Sequence, residues 1–175
     1  MKQKAKSMST FTNLPFEVTT AADKPAQMGL VTLETDLTIE TEMRHFLSGA
    51  PGHNDASGVA LLHTRIACDD QVTAENLSLM EGRFADALAL FPKDYTFEVI
   101  GYGCTSASLV IGEARVQQII QSNADVAHVT TPLTAAKRGL AALNVARIGY
   151  LAPYISEISH QMCDEFGAAG FAVSA

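Results

Sequence analysis

The chain has 175 residues, 47% of them apolar and 18% charged, which is the balance of a folded globular protein and not of a disordered one. Nineteen acidic against twelve basic residues give a net charge of −7, and the four lysines of residues 1–25 leave the remainder more acidic still. That balance argues against a general nucleic-acid binder, because phosphate neutralisation needs clustered Lys and Arg. No run of 18 apolar residues suggests a membrane span, and Lys2-Gln-Lys-Ala-Lys6 is not followed by the apolar stretch of a secretory signal. Cys68, Cys104 and Cys163 are odd in number and widely spaced, with no C-x-x-C pair, so neither zinc nor a disulfide framework is expected. A cytoplasmic protein is the default expectation.

Residues 1–26 are polar and aperiodic and read as a flexible extension. Met28–Leu33 has the length of a buried strand, and Ile39, Met43, Phe46 and Leu47 then repeat with helical spacing behind Asp36, an N-cap type. Ser48-Gly-Ala-Pro-Gly52 is expected to end that helix. Val59–Ile66 is a second strand, and Thr73 opens a helix with the stripe Leu77, Met80, Phe84 and Leu88. Thr96–Tyr102 is a third strand, Gly103–Ala107 a turn, and Glu113–Gln121 a helix with Val116, Ile119 and Ile120 inward. Asp125–Val129 is a fourth strand. Thr131-Pro132 starts a helix, since proline suits the first helical position, and that helix runs to about Asn144. Arg147–Ala152 is a fifth strand, and a helix with Ile158, Met162 and Phe166 inward follows. Phe171–Val173 begins a sixth strand with no helix after it to cover its far face, so the sequence reads as cut short.

Strands alternating with helices imply an α/β protein with a parallel sheet in a three-layer αβα arrangement. Chemistry in such sheets collects in the loops at the carboxyl ends of the strands. Four loops are selected: Glu34-Thr35-Asp36, Gly101–Ser106, Thr130-Thr131 and Ala152-Pro153-Tyr154. The second is the most informative. Two glycines let the backbone turn sharply, and Cys104 follows at a strand-to-helix turn. Unpaired N–H groups beyond it can bind an anion and favour the thiolate, and Thr105 and Ser106 add hydroxyl donors. A small buried cysteine among polar residues accounts for the same pattern. The match to a G-x-S-x-G elbow is partial, because Thr105 stands at the nucleophile position.

Gly101-Tyr-Gly-Cys-Thr-Ser106 together with Val110-Ile-Gly-Glu113 resembles the aspartate/glutamate racemase superfamily, and within it the maleate isomerase and arylmalonate decarboxylase group. Gly29–Glu40, His63-Thr-Arg-Ile66 with Asp69-Asp70, Thr131-Pro-Leu-Thr-Ala135 and Pro153-Tyr154 agree, so the likeness runs over residues 27–175. Thr35-Asp-Leu-Thr-Ile-Glu40 and the cysteine turn are most similar to the ectoine-utilisation branch. The resemblance implies two similar α/β domains with a cleft between them, here 27–127 and a partial second domain over 128–175. It implies Cys104 as the first-domain catalytic cysteine, and Thr105 and Ser106 as a carboxylate cradle. It also implies Asp36, Thr131 and Tyr154 as substrate-binding residues. It implies no cofactor and no metal, a small carboxylate substrate, and no nucleic-acid or membrane partner; assembly as a homo-oligomer is left open. Asp36 replaces an asparagine of maleate isomerases, which puts maleate itself in doubt. No second-domain cysteine is matched, since Cys163 lies inside a predicted helix beside Met162. The expectation is a cofactor-independent isomerase, racemase or decarboxylase of ectoine or hydroxyectoine breakdown. The alternatives are an inactive carboxylate-binding fragment and a cysteine hydrolase using the same turn.

Several other residues have plainer readings. Asp36 can cap the first helix and serve a site as well. Tyr154, taken without the family, is a half-buried turn tyrosine. His63 and Arg65 share a strand face as a surface pair, and Lys137-Arg138 reads as a solvated helix face. His45, His53, His128 and His160 show no i, i+4 pairing that would suit a metal.

Overall fold

The computed structural model describes residues 15–17, 25–48 and 58–174. The extension expected over 1–26 lies outside the described residues save for 15–17 and 25–26, as does the helix stop beyond Ser48. Strands β1 (Ala26–Leu33), β2 (Val59–Ile66), β3 (Phe97–Tyr102) and β4 (Val126–Thr130) form one parallel sheet in the order β2-β1-β3-β4. β5 (Arg147–Gly149) and β6 (Ala172–Ser174) pair in parallel in a second sheet. The expected α/β class therefore holds.

Register explains how the main sheet is covered. Gly29 lies beside Ile100 and Val31 beside Tyr102, so these four share a face. That face packs on the stretch α2 (Ala74–Leu79), a 3₁₀ turn at Met80–Arg83, and α3 (Phe84–Leu88). Phe84 meets Tyr102 edge-on with ring centroids 4.7 Å apart, and Met80, Leu88 and Phe91 complete the layer. Val116, Ile119 and Ile120 of α5 (Glu113–Asn123) are buried in the same core. Leu30, one residue out of step with Val31, faces the other way, toward Ile39 of α1 (Ile39–Ser48). A smaller core joins Leu133 of α6 (Pro132–Ala142), Met162 and Phe166 of α7 (Ser156–Ala168), and Phe171.

The helix starts follow local chemistry. Thr73 Oγ1 accepts the Asn76 N–H at 3.2 Å, and Thr131 Oγ1 accepts that of Thr134 at 3.1 Å. Gly112, at φ +92, breaks the chain between α4 (Thr105–Ile111) and α5.

Four expectations change. The turn expected over Gly103–Ala107 is already helical from Thr105, because Ser106, Ala107 and Ser108 are buried and small enough for close packing; packing overrides weak propensity there. The helix from Thr73 to Leu88 is interrupted at the 3₁₀ turn that contains Gly82, while all four stripe residues remain buried. Phe46 is 70% exposed, although it shares a stripe with Ile39; periodicity says which residues share a face, not how far along a helix that face stays covered. Lys137 is tucked between α5, α6 and α7, pairing with Glu113 and, at 2.9 Å, with Glu165.

Candidate active site

The cysteine turn is built by close approach. The Gly103 N–H donates to Val31 O at 2.8 Å, drawing the end of β3 onto β1. A Cβ on Gly103 would stand 2.8 Å from Ile39 Cδ1, so glycine is what lets α1 rest over the turn. Cys104 follows as the N-cap residue of α4, in extended conformation and 6% exposed. Its carbonyl accepts the Ser108 hydroxyl at 2.5 Å and the Ser108 N–H at 3.1 Å. Its thiol stands 3.7 Å from the Ser106 hydroxyl. Tyr102 lies below, its hydroxyl donating to Met80 Sδ at 3.7 Å. Burial first, and then the neighbouring Cys104 and Cys68 sulfurs, push the Tyr102 phenol well above the ordinary tyrosine range.

Cys104 and Ser106 open on a cavity of about 290 Å³ at the carboxyl ends of β1, β2 and β3. Leu33, Thr35, Cys68, Asp69, Asp70, Leu77 and Met80 also line it. Its volume suits a small acid, and its position agrees with the rule for parallel sheets. A larger groove of about 590 Å³ lies between α2 and α5, but its Arg115 is taken by Glu81 and Gln118 and it holds no cysteine or histidine.

The structure brings together only part of the expected set. Cys104 and Ser106 share the cavity wall; Thr105, half-buried, opens α4 and is not on that wall. Asp36 is committed to α1: its Oδ1 accepts the N–H groups of Thr38 and Ile39, both at 2.9 Å. The adjacent Thr35 faces the cavity instead. Thr131 is 3% exposed and caps α6. Tyr154 is half-buried against both apolar cores. Neither belongs to the cavity wall.

Thr35, Cys68 and the Asp69-Asp70 pair were not among the selected site residues. The signal was present, because the loop after β2 is also a carboxyl-end loop and Cys68 stands two residues past Ile66. Thr35 Oγ1 and Cys68 Sγ lie 3.4 Å apart, and the Cys68 N–H donates to Glu34 Oε1 at 2.9 Å, joining the first two loops. Arg65 ties them further. Its Nη1 donates to the carbonyls of Leu33, Glu34 and Asp36 at 3.0, 3.1 and 2.8 Å, and its Nη2 meets Glu40 at 2.6 Å. This guanidinium clamps the loop and is not displayed to a ligand. Glu40 also meets His63 at 3.2 Å.

No protein-family model matches the chain. The maleate isomerase of Nocardia farcinica is 29% identical over 157 residues, covering 85% of this chain and 59% of that protein. The maleate isomerase of Pseudomonas putida is 25% identical over 154 residues, covering 84% and 60%. The chain thus spans about three fifths of the length of the curated relatives it matches. Among solved structures, a variant of the Nocardia farcinica maleate cis-trans isomerase with a covalently bound succinylcysteine intermediate superposes with TM-score 0.72. It shares 27% identity and covers 85% of this chain and 61% of that one. Unliganded arylmalonate decarboxylase, at 17% identity and TM-score 0.56, covers 85% and 59% and shares the fold. These likenesses support placement among aspartate/glutamate racemase-like proteins, with the α/β fold of maleate isomerase. Among the described residues no helix is long and apolar enough to cross a membrane.

Proposed function

We propose that this chain carries the Cys104 side of a cofactor-independent, cysteine-dependent isomerase, racemase or decarboxylase site for a small carboxylate. The observation that carries the reading is the Cys104 thiol beside the Ser106 hydroxyl in a small-acid cavity at the carboxyl ends of three parallel strands. The succinylcysteine in the Nocardia farcinica enzyme's structure supports a covalent route through sulfur. In such a step the thiolate adds to a C=C bond beside a carboxylate. A C–S bond forms, and the π pair moves onto the carboxylate as an enediolate. Hydroxyl and N–H donors stabilise that charge, and Ser106 with the first N–H groups of α4 are the donors at hand. Rotation about the former C=C bond, now single, followed by collapse of the enediolate with cleavage of the C–S bond and loss of the thiolate, returns the alkene in the other geometry. Alternatively, the thiolate takes an α-proton and gives the same enediolate.

We take residues 27–127 with the rest of β4, which pairs with β3, as the domain bearing Cys104, and the residues after it as part of a second. The wording of Thr35–Glu40 and of the cysteine turn supports a place in ectoine or hydroxyectoine breakdown. Carboxylate binding without turnover is the second reading, favoured by the burial of Cys104, which is 6% exposed.

Incubation with maleate and related unsaturated or α-substituted carboxylates, followed by NMR and by mass spectrometry of the Cys104 peptide, tests the proposal. Product and a Cys104 adduct are expected, both lost in Cys104→Ala with the circular dichroism unchanged. Binding without product selects the second reading. Turnover that survives Cys104→Ala removes the proposal, and an acyl adduct from a simple ester replaces it with cysteine hydrolysis.

A further inference from the structure

Tyr102 ends β3 two residues before Cys104. Alternate residues of an extended chain point the same way, and Cys104 at φ −132, ψ 111 continues the extension, so both side chains lie on the side of the sheet that bears the cavity. The Tyr102 ring is 1% exposed and seated edge-on against Phe84. Its hydroxyl lies on the same side of the sheet as the Cys104 thiol two residues on, and its hydrogen-bond acceptor at 3.7 Å is the Met80 thioether, whose residue lines the same cavity as Cys104. A thioether is a weak acceptor, and a thiolate is a far better one. Burial keeps the phenol protonated, and therefore a donor, across the range in which thiols ionise.

We propose that Tyr102 is a positioning residue for Cys104: its hydroxyl turns from the Met80 sulfur to the Cys104 sulfur when the thiolate forms, and holds that sulfur toward the cavity. The proposal rests on Cys104 as the reacting group. The other groups facing Cys104 make this donor matter. Ser106 on α4 contributes a hydroxyl 3.7 Å away, and Leu77 and Met80 carry no charge. The loop after β2 brings Cys68, Asp69 and Asp70 to the same cavity; Asp69 is paired with Arg83 at 2.8 Å, which leaves Asp70 as the carboxylate that opposes a thiolate.

The test is iodoacetamide labelling of the full chain across a pH series, read peptide by peptide by mass spectrometry, with Cys163 on α7 as the internal standard. In Tyr102→Phe, Cys104 labelling is expected to be about ten-fold slower at neutral pH, the loss of one hydrogen bond to a charged group, with its profile displaced to higher pH. Cys163 labelling should not change. Loss of packing alone would not displace the pH profile of one cysteine. Parent labelling at Cys104 with an identical profile in Tyr102→Phe overturns this inference alone. A parent Cys104 that resists labelling at every pH overturns the proposed function, and the inference with it. If Tyr102→Phe does not fold, Met80→Leu removes the competing acceptor and should move the Cys104 profile to lower pH; an unmoved profile there also overturns the inference.

Discussion

Replacing Asp36 separates a helix cap from a substrate contact. Its side chain takes two N–H groups at the start of α1, each at 2.9 Å, while its backbone is held independently by Arg65 at 2.8 Å and by the turn to Leu33 O at 3.1 Å. Truncation should therefore release the cap and leave the loop in place. Loss of such a cap costs about 1 kcal/mol. In a domain of this size that is roughly 2–4 °C in Tm. Asp36→Asn keeps an acceptor at the same atom and gives up only the charge near the helix N-terminus, worth a few tenths to about 1 kcal/mol. The expected order of stability is parent, then Asn, then Ala, read from urea unfolding with the slope unchanged. Because Ile39, the first residue of α1, touches the space over Gly103, Asp36→Ala should also loosen the cysteine turn and speed exchange of the Gly103 amide. Equal stability of Asp36→Ala and parent would refute the capping argument. Loss of as much in Asn as in Ala would show that the charge, and not the hydrogen bond, is what matters.

Two further outcomes follow from packing and burial. Gly29→Ala places a methyl 2.8 Å from Ile100 Cγ1 and 3.2 Å from Phe91 Cζ, so it should destabilise by about 1–3 kcal/mol; an unchanged urea midpoint would contradict the packing described for the sheet. The Tyr102 phenol is raised by burial above its unfolded value near pH ~10. Its contribution is therefore complete below that pH and is lost above it, as the unfolded chain ionises first. Parent stability relative to Tyr102→Phe should fall by about 1.4 kcal/mol per pH unit above pH ~10, and parallel curves would refute that.

Much of the fold was legible because backbone periodicity is local. β2 begins and ends where the apolar run does, Thr131-Pro132 marks the start of α6, and Ile158, Met162 and Phe166 are all buried on α7. The start of α4 shows where local reading fails. The first turn of α4, Thr105–Ser108, is small and mostly polar, and it becomes helical because Ser106, Ala107 and Ser108 are packed against the core. For the site, the sequence singled out Cys104 and Ser106 through glycine, cysteine and hydroxyl chemistry at a single turn. It could not show that Thr35 and Cys68 reach the same cavity, since they belong to loops that only strand order and register bring beside that turn.

The amino-acid sequence by itself determined the alternation of strands and helices, the acidic surface and the identity of the cysteine turn, all of which depend on neighbours within a few residues. Tertiary structure alone decided which groups surround the thiol. It committed Arg65 to clamping the first loop, kept Thr131 and Tyr154 off the cavity wall, and set the Tyr102 hydroxyl against the Met80 sulfur. The physical reason is that a hydrogen-bonding side chain serves whichever partner folding brings within about 3 Å, and that partner is chosen by chain topology and not by the residue's own type.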